Sequence, residues 1–316
     1  MCNLSTACDL AENGIALSVR GVHQSFGNKH VLNNVNLDVK AGQIVAIVGP
    51  SGCGKSTLLR SILGTHPPTK GEIIAEGGKV DGPSRKVGIV YQDYALYPFL
   101  TAEKNVAFGP KMDQTNIFWR AFFYHKWLKL QKTHLEDARK WLAKVRLLDA
   151  KDNYPSELSG GMKQRVAVAQ ALAMRPSILL MDEPFGALDE ATRESLQLML
   201  LEFYQENMRV KKAGGVPPYT ILIVTHELNE ALYVSDRVIG LTQYHPDGKN
   251  GATVVYDFPA PVFHPGDPKD TEKFAKQKEE IRNIVFSPDN VNNAKTLIRL
   301  WGESDEFLPG LSTDRI

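Results

Sequence analysis

Four short apolar runs predict the buried strands of a parallel sheet. They are rich in Val, Ile and Leu and do not alternate with polar residues: 44–48, 87–91, 178–181 and 220–225. Unbroken apolar runs of this length are typical of strands that are covered on both faces. Residues 15–39 instead alternate between apolar and polar positions, which predicts antiparallel strands with one face in water.

Helices are predicted between and after these strands, which makes the chain an α/β protein. Good helix-forming residues follow the first apolar run at 56–63. An amphipathic pattern covers 159–174, and its first residue, Ser159, is of the type that caps helix N-termini. Near the C-terminus, a Pro-rich connector at 258–268 precedes a charged helical stretch at 271–284.

Each of the later apolar runs ends in polar or charged residues. Gln92 follows the second run, Asp182 and Glu183 follow the third, and His226 follows the fourth. Because ligands of open parallel sheets bind beyond the carboxyl ends of the strands, we expect these side chains to share one rim with Lys55. Adjacent acids after a buried strand are costly without a compensating charge, so Asp182 is predicted to address Mg²⁺ and Glu183 to polarise an attacking water. The alternative for His226 is a histidine satisfied within the core.

A phosphate-binding loop is predicted directly after the first apolar run. It matches G-x-x-x-x-G-K-[ST] and consists of Gly49, Pro50, Ser51, Gly52, Cys53, Gly54, Lys55, Ser56 and Thr57. Glycines let backbone N–H groups approach phosphate oxygens, and the helix start that follows adds unpaired donors and a dipole that favours anions. Lys55 is predicted to contact the β- and γ-phosphates and Ser56 to offer a hydroxyl to Mg²⁺. The strand–loop–helix context therefore predicts a nucleotide triphosphate site.

One residue of this loop, Cys53, has a thiol next to a cation. Its position beside Lys55 and the start of a helix favours the thiolate electrostatically. We therefore expect a reactive cysteine if solvent reaches it, shielded when nucleotide covers the loop.

Two further features each have two interpretations. Ser159, Gly160 and Gly161 could form a second anion-binding helix start, or a purely structural cap. Phe26 lies in a turn-like stretch, and it could be either a core aromatic or a ring that stacks on adenine.

Length and composition narrow the class of protein without defining a site. The 316 residues suffice for a large buried core, and a net charge of +1 gives no sign of a nucleic-acid-binding surface. The three cysteines have no metal-ligand spacing, as is typical of reduced cytosolic thiols. No apolar run reaches the roughly 20 residues that cross a bilayer, and residues 1–13 lack the basic start and apolar core of a signal peptide.

Together these residues resemble the ATP-binding-cassette ATPases over about residues 15–241. The motif order is specific: phosphate loop 49–57, Q-loop Gln92, signature 158–162, Walker B motif 178–183, D-loop 187–189 and switch histidine His226. The amino-acid sequence of residues 158–165 and 181–189 is similar to that of the nitrate, sulfonate and taurine importer branch. The resemblance implies a P-loop NTPase fold with a RecA-like parallel sheet core, an antiparallel β subdomain and a helical signature subdomain.

The resemblance also implies the ligands and a role for each site residue. ATP and Mg²⁺ are the expected ligands, with Ser56, Gln92 and Asp182 at the metal and Glu183, His226 and Gln92 in catalysis. In that family the signature of one subunit closes over ATP held by the partner's phosphate loop. This role falls here on Ser159, Gly160, Gly161 and Met162, with Asp189 in the D-loop.

The implied partners follow from the same family. A head-to-tail dimer with a second ATPase subunit, most simply a homodimer, would enclose two ATP molecules. Two membrane-spanning permease subunits would hold it at the cytoplasmic face of the cell membrane, and an importer would add an extracytoplasmic substrate-binding protein. Residues 94–100, which follow Gln92, would form the groove for the coupling helix of the membrane subunit, although an apolar segment of this kind could equally be core.

The expected domain boundaries follow from these assignments. They are a loose leader at 1–14, an ATPase domain at 15–257 with its helical subdomain at about 97–160, and an extension at 258–316 that includes a short amphipathic stretch at 291–301. The chain departs from the family in an aromatic insertion at about 112–132 and in a lengthened loop at 211–218. The insertion is either an extra helix packed on the subdomain or a partner-binding helix.

We therefore expect the ATP-hydrolysing subunit of an importer for a small anion such as nitrate, a sulfonate, taurine or bicarbonate. The alternatives are the ATPase of a lipid or efflux system, or a cassette protein that handles DNA or ribosomes. The sequence has no long coiled coil, second cassette or basic stripe, which counts against the latter. Glu183 and His226 count against a catalytically silent subunit.

Overall fold

The computed structural model describes residues 14–114, 124–186, 188–244, 250–265, 267 and 271–286. Its strands are β1 Ile15–Phe26, β2 Lys29–Lys40, β3 Ile44–Val48, β4 Lys70–Ala75, β5 Gly78–Lys79, β6 Val87–Val90, β7 Ile178–Asp182, β8 Thr220–Thr225, β9 Arg237–Tyr244 and β10 Asn250–Pro259. Its α-helices are α1 Lys55–Leu63, α2 Ala102–Gln114, α3 Tyr124–Lys144, α4 Gly160–Ala173, α5 Glu190–Lys212, α6 Leu228–Val234 and α7 Glu272–Ile281. Residues 1–13 of the predicted leader at 1–14, the middle of the predicted insertion and the stretch at 291–301 lie outside the described residues.

The strands form one curled mixed sheet in the order β5-β4-β1-β2-β10-β9-β3-β8-β7-β6. At one end, β3, β8, β7 and β6 are parallel neighbours, which confirms the predicted parallel core. At the other end, β1 pairs antiparallel with both β2 and β4, which confirms the predicted antiparallel part. The strands β9 and β10 join the two ends, because β9 pairs with β3 and β10 pairs with β2.

The parallel strands are apolar between their ends, where both of their faces are buried. In β3, Ile44, Ala46 and Val48 face one core and Val45 and Ile47 face the other. The first core lies against α2 to α7. The second lies between the parallel strands, α1 and the antiparallel strands. The phosphate-loop helix α1 is therefore held inside the curl of the sheet.

Helix α4 differs from its sequence prediction. The amphipathic interpretation was wrong, since no residue of Gly160–Ala173 is exposed. Half of its residues are buried and the others are partly buried, because α4 packs between α2, α3 and the sheet and presents no fully exposed polar face.

The C-terminal helix α7 packs on the ATPase core. Thr271 accepts a hydrogen bond from the backbone N–H of Phe274 and so caps the helix. Phe274 and Ile281 are buried, and Gln277 donates to the Tyr256 hydroxyl at 3.0 Å. No described helix combines the length and apolar character that crossing a bilayer requires.

A buried carboxyl at the start of β9 predicts how stability depends on pH. Burial raises the pKa of Asp236 to about 6, and its Oδ2 accepts a 3.4 Å hydrogen bond from the Ile44 N–H. A carboxyl whose folded pKa is raised contributes stability below its unfolded pKa of 3.8, and this contribution is lost as the pH rises through about 6. Asp236→Asn should therefore raise the free energy of unfolding above about pH 6 by up to about 3 kcal/mol. It should also reduce the fall in that free energy between pH 3.8 and about pH 6. Urea unfolding below pH 3.8 and above about pH 6 measures this effect. Asp149→Asn, at an exposed carboxyl, is the control, and an unchanged pH slope in Asp236→Asn would contradict the assignment.

Candidate functional site

The predicted phosphate loop connects β3 to α1 and depends on glycine at defined points. A Cβ at Gly49 would lie 2.2 Å from the Leu241 carbonyl oxygen, so no larger residue fits there. Gly54 caps α1 with a φ of 106°, a conformation that favours glycine, and no side chain caps the helix start. The first N–H groups of α1 are therefore available to an anion.

The Lys55 ammonium lies across the loop. Its Nζ donates hydrogen bonds to the carbonyl oxygens of Gly49 at 2.7 Å and Pro50 at 3.0 Å. The side chain is buried, so its position is defined by these two contacts rather than by solvent. This holds the cation inside the loop, where the sequence predicts phosphate.

The expectation of a reactive Cys53 thiolate was wrong. The side chain is buried under the loop, with its Sγ 4.0 Å from Lys55 Nζ. Burial raises the pKa of the thiol, and the nearby Lys55 charge lowers it by less. Desolvation therefore outweighs the electrostatic effect, because solvent does not reach the thiol.

A hydroxyl and a carboxylate meet at the edge of β7. Ser56 Oγ donates to Asp182 Oδ1 at 3.1 Å. Burial raises the pKa of Asp182, and the Ser56 hydrogen bond opposes this shift. Both groups are hard oxygen donors, and Mg²⁺ prefers one or two such protein ligands completed by phosphate and water. The Ser56–Asp182 pair therefore fits Mg²⁺ shared with a nucleotide.

The next residue, Glu183, has a strained backbone. Its φ is +47°, which is uncommon for a residue with a side chain. The conformation is held by hydrogen bonds from Glu183 N to Val224 O at 2.9 Å and from Gly186 N to Glu183 O at 3.2 Å. The strain turns the carboxylate toward β8, where His226 Nδ1 lies 3.3 Å from Glu183 Oε1. The other ring nitrogen lies 3.8 Å from Glu227 Oε1.

Gln92 reaches the same rim from β6. A Cβ built on Gly186 would lie 3.7 Å from Glu183 Oε2 and 3.8 Å from Gln92 Nε2. The two side chains therefore border the same glycine. The structure thus gathers Lys55, Ser56, Gln92, Asp182, Glu183 and His226 at the carboxyl ends of adjoining parallel strands.

The signature and D-loop residues form a second group, where α4 meets α5. Ser159 caps α4 by accepting from Met162 N at 3.3 Å, and Asp189 caps α5 by accepting from Thr192 N at 3.0 Å. A Cβ on Gly161 would lie 1.5 Å from Thr192 Cγ2, so the glycine lets α4 approach this side chain. The close approach seen at Gly161 is thus to α5, and contact of this group with an anion stays a prediction.

Sequence reasoning missed a polar link between the D-loop and the switch histidine. Arg193 donates to the Leu188 carbonyl oxygen at 3.2 Å and pairs with Glu230 at 3.2 Å. Glu230 accepts from the Thr225 hydroxyl at 3.3 Å, and Thr225 directly precedes His226. The charges are far apart in sequence, so no local pattern identifies them as partners.

The C-terminal helix also borders the switch histidine. A cavity of about 430 Å³ is lined by His226, Glu227, Leu228, Asn229, Lys278, Arg282 and Phe286. The sequence indicates a charged helix here, but the position of that helix depends on distant packing at Phe274 and Ile281.

Phe26 closes β1 and is 47% exposed, with its ring edge-on to His66 at 6.1 Å. This exposure excludes the core interpretation for Phe26. Stacking on adenine stays a prediction.

The segment at 94–100 divides into two parts. Tyr94 and Leu96 pack against the core, whereas Phe99 is 70% exposed. Buried Asn105 holds the segment, accepting from Tyr97 N at 2.8 Å and donating to Leu100 O at 2.9 Å. The core interpretation therefore applies to Tyr94 and Leu96, and the groove stays a prediction for the exposed Phe99.

The chain is similar to transporter proteins along most of its length. The ABC transporter family profile matches residues 32–186. The aliphatic sulfonates import ATP-binding protein SsuB of Bacillus cereus is 39% identical over 230 residues, which are 71% of this chain and 80% of that protein. The nitrate import ATP-binding protein NrtC of Synechococcus elongatus is 40% identical over 252 residues, which are 78% of this chain and 35% of that protein.

A solved structure resembles the fold. The ATP-binding cassette MJ0796, a dimer in a post-hydrolysis state bound to ADP and Pi, matches with a TM-score of 0.59 and 30% identity. The match covers 78% of this chain and 100% of that one.

The burial of Cys53 under the phosphate loop predicts a thiol that is protected from reagents. A maleimide should label Cys53 in the folded protein at least about tenfold more slowly than in urea-unfolded protein, because both burial and the raised pKa disfavour attack. Peptide mapping by mass spectrometry separates Cys53 from the other thiols, and Cys53→Ala identifies its peptide. Equal labelling rates in the folded and unfolded protein would mean that the thiol is accessible.

Proposed function

We propose that this chain, which belongs to the ABC transporter family, is the ATP-hydrolysing subunit of an importer for a small oxyanion. ATP binding, Mg²⁺ use and ATP hydrolysis belong to the family. The observation that supports the assignment most is the contact of Ser56 with Asp182 beside the contact of Glu183 with His226. Metal-binding and water-activating groups then lie next to each other at strand ends.

The first step of the proposed mechanism is binding of the phosphate chain. The N–H groups at the start of α1 and the Lys55 ammonium would bind phosphate oxygens, since the loop carbonyls already hold Nζ in place. Ser56, Asp182 and Gln92 would hold Mg²⁺, which neutralises charge on the phosphates when bound. The Gly49–Thr57 loop thus orients the nucleotide, with Phe26 as a stacking ring for adenine.

The second step is attack by water. Glu183 is the proposed base, because its strained backbone fixes the direction of its carboxylate. His226 lies 3.3 Å from this carboxylate and would position it relative to the γ-phosphate. A base with one restricted geometry loses little orientational freedom when it meets water.

The proposed mechanism also requires a second ATPase subunit. Ser159, Gly160, Gly161 and Met162, with Asp189, would face ATP bound to the partner. Support comes from the dimeric state of the similar cassette bound to ADP and Pi. The polar link from Leu188 through Arg193 and Glu230 to Thr225 would then connect this interface to His226 in the same chain.

The transported substrate is proposed from the relatives. They are named as sulfonate and nitrate import proteins, so we propose a small oxyanion. Membrane-spanning subunits would select and conduct it, with this chain bound at their cytoplasmic side. An extracytoplasmic binding protein would deliver it.

Replacement of the proposed base tests the chemistry. Glu183→Gln should lower ATP turnover by about a hundredfold or more and preserve ATP binding, because only the proton acceptor is lost. The matched control is Glu227→Gln, at the glutamate on the other side of His226, which should keep near-normal turnover. Lys55→Ala should instead weaken ATP binding. Steady-state hydrolysis and nucleotide titration separate these effects, and near-normal turnover in Glu183→Gln would remove Glu183 from the role of base.

The exposed aromatic at 99 tests coupling to the membrane subunits. Phe99→Asp should abolish co-purification with them and leave ATPase activity of the isolated chain nearly unchanged, because Phe99 is 70% exposed. Val216→Asp is the control, since it places the same charge on another exposed apolar residue. Unchanged co-purification of Phe99→Asp would exclude Phe99 from the contact.

A further inference from the structure

We propose that a second cavity, at the opposite edge of the sheet from the phosphate loop, binds a small organic oxyanion with a short apolar tail, a carboxylate or a sulfonate. The cavity measures about 230 Å³ and lies between α2, α3 and the end of α4. Arg85 and Arg175, which line it, precede β6 and β7, so it faces the amino ends of these strands. It is therefore separate from the nucleotide site.

The cavity lies beside the predicted insertion at 112–132, from which Asp113 contributes to its wall. Asp113 lies just before the undescribed middle of the predicted insertion, and His134 and Trp141 follow it on α3. Its volume equals that of about eight waters at roughly 30 Å³ each. The walls include Val106, Trp141 and Met174, which suit an apolar tail.

A buried nitrogen in this wall lacks a partner. His134 is only 7% exposed, and among the described residues its Nε2 has no hydrogen-bond partner. A buried polar atom without a partner is costly, so it marks a place where a ligand or water is expected. Burial lowers the pKa of His134, which leaves the ring neutral and able to share a hydrogen bond.

The charges around the cavity favour an anion. Asp113 pairs with Arg85, and Asp137 pairs with Lys140 at 2.8 Å, so both acids are compensated. Arg175 forms no salt bridge within 4.0 Å among the described residues, although Asp137 feels its charge at longer range, so its guanidinium N–H donors are not taken by a carboxylate. A guanidinium binds the oxygens of a carboxylate or sulfonate through paired N–H donors, which assigns the head of the ligand to Arg175 and its tail to Trp141.

The cavity adjoins the C-terminal end of α4, whose N-terminus contains the signature. A ligand that touches Met174 and Arg175 would bias the position of this buried helix. We therefore expect occupancy of the cavity to change ATP turnover. This effect on turnover rests on the proposed function, whereas binding of the anion to the cavity is independent of it.

The experiment uses the full chain with histidine-selective ¹⁵N labelling. The eight histidines are few enough to resolve, and His134→Gln assigns the His134 ring signals. Propane-1-sulfonate and butanoate should each shift these signals saturably, with a Kd on the order of 1 mM for ligands of this size. Butylammonium, which has an alkyl tail one carbon longer and the opposite charge, should not.

Variants separate this site from nonspecific binding. Arg175→Gln should weaken binding about tenfold, and Ala138→Met should block it by filling the cavity. Arg209→Gln, at an exposed arginine of α5, is the matched control and should bind normally. Failure of both anions to shift His134, equal affinity in Arg175→Gln, or tighter binding of butylammonium would each overturn the proposal. A chain that binds the anions but lacks ATPase activity would contradict the proposed function alone, and an active chain without His134 shifts would contradict this inference alone.

Discussion

Burial of both faces of the parallel strands is the constraint on which the rest of the structure depends. Because β3, β8, β7 and β6 are covered by helices on one side and by α1 with the antiparallel strands on the other, no polar side chain can leave them before they end. Polar chemistry is therefore confined to the strand ends. The carboxyl edge receives Lys55, Asp182, Glu183 and His226, and the amino edge receives the arginines at 85 and 175.

This confinement also explains why strain is tolerated at Glu183. A positive φ costs of order 1 kcal/mol or more and persists only where surrounding contacts fix it. At Glu183 the contacts are backbone hydrogen bonds to β8 and to the following turn. The sheet thus stabilises a conformation that directs a carboxylate toward His226 instead of letting it turn into solvent.

Local patterns predicted the elements of this fold because burial and periodicity are properties of neighbouring residues. The four parallel strands, the phosphate loop and the Ser159 cap follow from short stretches. Errors arose wherever distant segments decide the environment. Cys53 appears activated when only Lys55 is considered, but the fold buries it, and α4 is covered by helices that its own sequence cannot reveal. For the same reason, the approach of α7 to His226 and the role of Asn105 could not be predicted.

Helix α4 links the two edges of the sheet because glycine contacts fix it at both ends. At its N-terminus, Gly161 lies so close to Thr192 that a Cβ would overlap the threonine methyl. Beyond its C-terminus, a Cβ on Gly109 of α2 would lie 2.6 Å from Met174 Sδ. At both points the missing Cβ lets α4 pack tightly against its neighbours, so a shift of α4 has to be accommodated by the start of α5 and by α2. A displacement of α2 at the second cavity would therefore be transmitted through α4 to the signature and to Asp189 at the start of α5.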